Sequence, residues 1–279
     1  MDPQKKKAEA FRALHAGPAI LVLPNAWDVA SARVFEEAGF PAVATSSAGI
    51  AASLGYPDGE RISRGEMTKA VARIAKALKV PLSADLEAGY GPTPKAVQLT
   101  VEAAIDAGAV GMNLEDATED RIRPLYAPEV QAERIRTARS AADRLGVKFF
   151  INARTDVLLK QVGAEAARFD HVVRRSLAYK EAGADGLFVT GVSDPALIAR
   201  LVKAVGLPLN VIASAATPPV AELQKLGVAR LSLGSGPMRA ALGLTRRIAT
   251  ELRSSGTYGA LLEGAIPYAE VNQLLGRRS

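Results

Sequence analysis

The chain of 279 residues has no cysteine, which excludes a disulfide framework, a thiolate metal site and a cysteine nucleophile. It has only two histidines, His15 and His171, and so no multi-histidine metal cluster. Any catalytic metal must therefore be held by oxygen ligands. Aromatic residues amount to 5% of the chain, with Trp27 the one tryptophan. No apolar run approaches the roughly 20 residues that a membrane-spanning helix needs. Lys5, Lys6 and Lys7 precede no apolar core, so the N-terminus does not read as a signal peptide. These absences predict a cytoplasmic protein without a membrane partner. An excess of one charge sign is present but modest: 35 basic against 29 acidic residues, a formal charge of +6. Basic residues such as Arg134, Arg136 and Arg139 alternate with acids along helical patterns, which reads as solvated helix surface and not as a nucleic-acid face. A weak positive field of this kind suits a small anionic ligand.

What the chain does contain is periodicity. Short apolar or β-branched runs at 19–23, 41–45, 82–86, 110–114, 148–153, 186–189, 209–213 and 230–233 alternate with longer helical patterns. Helix starts are marked by the Ser63/Glu66 capping-box pattern, by Thr93-Pro94 and by Asp194-Pro195 and Thr217-Pro218. Eight βα units without an intervening linker predict one closed (β/α)8 TIM barrel spanning residues 1–279. The competing open, doubly wound sheet lacks its signature, because Pro24-Asn25-Ala26-Trp27-Asp28 stands where a G-x-G-x-x-G turn would follow the first strand. Residues 239–279 form a helical extension whose tail carries more apolar residues than a finished barrel uses, which predicts packing on a partner subunit.

In such a barrel the chemistry sits at the C-terminal ends of the strands, and here those ends are acidic. Asp28 follows the first run, Asp85 and Glu87 the third, Glu115 and Asp116 the fourth, and Arg154 and Asp156 the fifth. Alternation puts Asp85 and Glu87 on one side of their strand, converging with Glu115 if that side is the barrel interior. Three carboxylates in one mouth repel unless protons or a cation neutralise them. An oxygen-only set with room for water describes Mg2+, with Mn2+ as a substitute; the alternative is that these acids cap helices or pair at the rim. The small-residue turn at Ser46 and Ser47 offers backbone N–H groups for a carboxylate or an oxyanion, or is simple turn chemistry. Arg154 is either a carboxylate anchor or a structural partner of Asp156 or Glu115. Trp27 is either a pocket wall or a core residue. With Asn210 these form the candidate substrate-binding set: Trp27, Ser46, Ser47, Arg154 and Asn210. Neither histidine falls at a strand end.

Taken together and in order, five segments resemble the isocitrate lyase/phosphoenolpyruvate mutase superfamily. They are Pro24 to Asp28, Gly55-Tyr56-Pro57-Asp58-Gly59, Ser83-Ala84-Asp85-Leu86-Glu87-Ala88-Gly89-Tyr90-Gly91, Asn113-Leu114-Glu115-Asp116 and Asn152-Ala153-Arg154-Thr155-Asp156. The resemblance implies a barrel that exchanges its last helix between subunits of a homotetramer. It also implies Mg2+ bound near Asp58, Asp85, Glu87 and Glu115, with Asp85 the direct ligand. The substrate it implies is a small 2-oxo or 2-hydroxy acid held on the ion, on the Ser46-Ser47 turn and on Arg154, reacting through a stabilised enolate. Ser46, Asp58 and Arg154 become the catalytic candidates. Several features depart from the best-known carbon–carbon lyases of the superfamily. Their Lys-Lys-Cys-Gly-His loop corresponds to Thr118-Glu119-Asp120-Arg121-Ile122-Arg123-Pro124, a tyrosine to Ala44, a glutamate to Thr190 and an aspartate to Glu87. These departures argue against isocitrate or methylisocitrate cleavage and towards a Mg2+-dependent lyase of an oxaloacetate-like dicarboxylate. The alternatives are a phosphorus–carbon bond enzyme acting on a phosphonopyruvate-like substrate, and a non-catalytic 2-oxo-acid-binding protein.

Overall fold

The computed structural model describes residues 2–118 and 120–276. Among these described residues, nine parallel segments make one sheet: β1 (Leu21–Leu23), β2 (Asn25–Ala26), β3 (Val43–Thr45), β4 (Leu82–Asp85), β5 (Gly111–Glu115), β6 (Phe150–Thr155), β7 (Gly186–Val189), β8 (Leu209–Ile212) and β9 (Arg230–Ser232). The segments run in the order β1-β9-β8-β7-β6-β5-β4-β3-β2, so the two ends of the sheet belong to the same stretch of chain. Pro24 divides that stretch. β1 pairs with β9, and β2 pairs with β3, which closes eight stave positions into a (β/α)8 barrel. Proline has no N–H for a ladder, so a strand crossing it must change partners there.

Helices fill the connections: α1 (Pro3–Leu14), α2 (Val29–Glu37), α3 (Ser47–Ser53), α4 (Arg64–Ala77), α5 (Pro94–Asp106), α6 (Pro128–Arg144), α7 (Glu165–Glu181), α8 (Pro195–Ala204), α9 (Val220–Lys225), α10 (Gly236–Ser255), α11 (Gly259–Leu262) and α12 (Tyr268–Gly276). Their starts follow the capping chemistry at most of the marked positions. Ser63 Oγ accepts from Glu66 N–H while Glu66 accepts from Ser63 N–H, and Thr93 and Asp194 cap α5 and α8. Thr217 does not cap a helix. Its hydroxyl donates to Ile212 O, and α9 begins three residues later at Val220.

Apolar side chains from both faces of the strands form one core, in which Leu23, Val43, Met112, Ile151, Leu187 and Val211 are buried. At the N-terminal end of the strands α1 acts as a plug. Phe11 meets Phe150 edge-on at 5.6 Å, and the His15 ring stacks on Phe150 at 3.9 Å. Beyond the barrel, α10 ends at Gly256, whose φ of 66° suits glycine. The tail then returns to its own chain: Leu274 is buried, and its carbonyl accepts from Arg33 Nε and Nη2 of α2. The three last residues of the predicted extension, 277–279, lie outside the described residues. No helix among the described residues is long and apolar enough to cross a membrane.

Candidate active site

A cavity of about 210 Å³ opens at the C-terminal ends of the strands. Its polar wall includes Asn25, Ser46, Ser47, Asp58, Asp85 and Asn113, and its other side includes Arg154, Phe188, Thr190 and Ile212. Sequence expectation therefore meets structure unevenly. Ser46, Ser47, Asp58, Asp85 and Arg154 share this cavity, whereas Trp27, Glu87, Glu115 and Asn210 are not among the residues lining it.

Asp85 ends β4 and is held on both oxygens. Its Oδ2 accepts from Ser47 N–H (3.1 Å) and Ser47 Oγ (2.9 Å), and its Oδ1 accepts from Asn113 Nδ2 (3.2 Å). The same Ser47 hydroxyl lies 3.4 Å from Asp58 Oδ1. Burial and the neighbouring Asp85 charge push the Asp58 carboxyl above its usual range. Two cavity-lining carboxylates bridged by a hydroxyl form an oxygen-only donor set. Among the described residues, no three His, Cys, Asp or Glu side chains are grouped closely enough to cage an ion. Such a sparse set fits a hard cation that keeps most of its own waters, as Mg2+ does.

Glu87 and Glu115 stand within reach of the Asp85 charge and carry hydrogen-bond and ion-pair partners of their own. The strand stops at Asp85, and Glu87 has φ of 50°, so the two-residue alternation does not extend to it. Its carboxylate instead accepts from Glu60 N–H (2.5 Å) and from Tyr90 Oη (3.3 Å). Burial, with added repulsion from Asp58 and Asp85, raises it to about 7. Glu115 is ion-paired with Arg154 Nη1 at 2.7 Å; burial pushes its carboxyl up while Arg154 works in the opposite direction.

Arg154 also donates from Nε and Nη2 to Asp156 at 2.7 and 2.9 Å, so both structural partners foreseen for it are present together. Asp156 accepts in turn from Thr190 Oγ1 (2.6 Å). Behind this pair lies the fully buried Asp116, which accepts from Asp156 N–H, Arg175 Nη1 and Tyr179 Oη. Asp116 also takes Tyr126 N–H on its carbonyl, which roots the far end of the rim loop. The near end is pinned by the Ala117–Leu125 bridge. Ile122 stands exposed at the tip of that loop, and Glu119 within it lies outside the described residues.

The Ser46-Ser47 turn offers fewer free donors than its sequence suggests. Ser46 N–H donates to Ala26 O, its hydroxyl caps α3 through Gly49 N–H, and Ser47 N–H is taken by Asp85. The amide of cavity-lining Ala48, second in the helix, is the donor that α3 leaves over. Asp28 takes the capping alternative, accepting from Ser31 N–H at the start of α2. Trp27 lines a separate groove with Ala30, Ala70 and Leu275, on the outside of the barrel. Asn210 lies one layer below the cavity floor, its Oδ1 accepting from the cavity-lining Ser232 hydroxyl (3.1 Å) and its Nδ2 without a partner.

Sequence reasoning passed over Arg230. Its signal was a charge opening an otherwise apolar strand. Arg230 is 1% exposed and donates from Nη2 to Asn113 Oδ1 (3.3 Å) and from Nε to Ser232 Oγ (3.2 Å), while its Nη1 has no hydrogen-bond partner among the described residues. Burial lowers it to about 9, against the pull of Asp85.

Comparison with known proteins places this geometry in context. Residues 11–253 match the family model described as phosphoenolpyruvate phosphomutase. The oxaloacetate decarboxylase of Rhodopseudomonas palustris is 32% identical over 206 residues, covering 72% of this chain and 68% of the relative. A Burkholderia cenocepacia J2315 crystal structure, reported as a candidate lyase or mutase, is 41% identical with a TM-score of 0.91, covering 98% of this chain and 96% of that one. A phosphonopyruvate hydrolase solved with oxalate and Mg2+ is 28% identical with a TM-score of 0.85, covering 97% and 95%.

Proposed function

The chain belongs to the phosphoenolpyruvate phosphomutase family of the isocitrate lyase/phosphoenolpyruvate mutase superfamily, whose members are lyases and mutases, and from that premise we propose that it is a Mg2+-dependent carbon–carbon lyase. Its substrate is a small 2-oxo or 2-hydroxy dicarboxylate, with oxaloacetate the simplest case. The observation that carries this reading is the Ser47 contact with both Asp85 and Asp58 at the wall of a cavity that Arg154 also lines.

Asp85 and Asp58, joined through Ser47, would hold the ion. When bound, Mg2+ supplies the Lewis acidity that polarises the 2-oxo group and offsets the charge released on cleavage. The protein's own residues do the rest. Ser47 and Asn113 fix the Asp85 carboxylate before any ligand arrives, so no reorganisation is needed at the moment of reaction. Ala48 N–H offers a backbone donor to a developing oxyanion. Arg154, set by Glu115 and Asp156, presents its remaining N–H groups to a substrate carboxylate. In this reading the rim loop, held at Asp116, Ala117, Leu125 and Tyr126, would close over the mouth and exclude water.

The similarity to phosphonopyruvate hydrolase favours a second reading, phosphorus–carbon cleavage in the same site. Purified protein assayed on oxaloacetate and on phosphonopyruvate, each with Mg2+ and with excess chelator, separates the two. Mg2+-dependent pyruvate release from oxaloacetate supports the first, and phosphate release from phosphonopyruvate the second. Turnover of neither removes both.

A further inference from the structure

Arg230 is a cation fully enclosed by the barrel, yet both of its hydrogen-bond partners, Asn113 and Ser232, are uncharged. Burying a charge without an opposite charge in contact is costly, so a chain that keeps one there must offset it nearby. The opposite charge is one hydrogen-bonded step away. Asn113 accepts from Arg230 on Oδ1 and donates from Nδ2 to Asp85 Oδ1, and a second donor, Asn152 Nδ2 at 2.9 Å, fixes the same amide orientation. The guanidinium thus lies beneath the cavity floor, behind Ser232 and Asn113, which both line the cavity. The guanidinium is almost fully buried, so its field at the cavity is far less screened by salt than that of a surface charge.

We propose that Arg230 is a positioning residue whose fixed positive charge, passed through Asn113 to Asp85, weakens the site's hold on a bare divalent cation and strengthens its hold on an anionic ligand. The proposal rests on the reading of Asp85 as the cation ligand. A purely structural arginine would not produce this pair of opposite effects. Its loss would loosen Asp85 and Asn113 together and weaken every ligand.

The test is calorimetric titration of the wild type, Arg230→Gln and Arg230→Lys, first with Mg2+ alone and then with oxalate at saturating Mg2+. Gln keeps a donor for Asn113 and removes the charge; Lys keeps the charge. The expected result is that Arg230→Gln binds Mg2+ alone roughly tenfold more tightly and oxalate roughly tenfold more weakly, with Arg230→Lys close to wild type on both. Unchanged affinities in Arg230→Gln overturn the proposal, as does weakening of both ligands. An Arg230→Gln chain without a cooperative melt assigns the residue to stability and overturns it too. A wild type that binds no Mg2+ overturns the metal reading itself, and this inference with it. A wild type that binds Mg2+ beside an unaltered variant overturns this inference alone.

Discussion

At the N-terminal end of the barrel, His15 stacks on Phe150 and Phe11 meets both rings edge-on under the strands. At the C-terminal end, Asp58, Asp85, Glu87 and Glu115 lie near enough to repel one another, and burial drives the carboxyls of Asp58, Glu87 and Glu115 upward. The lower end is mostly aromatic surface that gains by leaving water, although burial drives the His15 imidazole down to about 3. The upper end consists of groups that lose by it and are held by ion pairs and donated hydrogen bonds. Stability and reactivity are thus carried by opposite ends of the same strands, and changes at the two ends should have different consequences.

The sharpest contrast comes from Asp85→Asn. Turnover of oxaloacetate with Mg2+ should fall on the order of a thousandfold, the scale of a lost preorganised charge contact, while thermal melting changes little; full activity would remove Asp85 from the site. Phe11→Ala at the opposite end should reverse the pattern. Removing a buried aromatic ring costs about 3–5 kcal/mol, visible in chemical denaturation, with KM unchanged for the molecules that remain folded.

A pH series probes the upper end by itself. Below the ordinary glutamate value of 4.5, folded and unfolded chains both carry the Glu87 proton; between 4.5 and about 7 only the folded chain does. Raising the pH across that window therefore favours unfolding. The Mg2+-free protein should melt at progressively lower temperature as the pH rises towards 7, and Glu87→Gln should flatten that slope. The smallest effect serves as a calibration. Glu133→Ala breaks the exposed pair with Arg136 on α6, which belongs to neither end. It should shift stability by less than about 1 kcal/mol and leave turnover unchanged.

The strands were legible because a buried parallel strand announces itself as an apolar run, and the starts of α4, α5 and α8 because capping is a local exchange of hydrogen bonds. Asp85 and Arg154 were legible as charges at strand ends. What remained hidden depended on partners from elsewhere in the chain. Glu87 turns towards Glu60, Arg154 is claimed by two carboxylates at once, and the Ser46 and Ser47 amides are consumed by Ala26 and Asp85. Trp27 was indistinguishable from a pocket residue because its side chain leaves the strand end outward, towards α4. Periodicity reports which side of an element is buried, not which neighbour arrives to meet it.

The division of the first strand at Pro24 has a consequence for motion. Where the ladder is interrupted, the Asn25 side chain stands in for it: its Oδ1 accepts from Leu233 N–H and Gly234 N–H, and its Nδ2 donates to Thr45 O. A single amide group thereby stitches β9 to β3 across the join. Between β5 and β6, by contrast, the two staves are joined by a ladder of five paired residues. Above the β1–β9 ladder the join rests on these side-chain hydrogen bonds, and the Gly234 and Ser235 walls of the cavity lie beside it. Native-state hydrogen exchange should find the Leu233 and Gly234 amides opening well before those of β5 and β6, and Asn25→Ala should hasten them further.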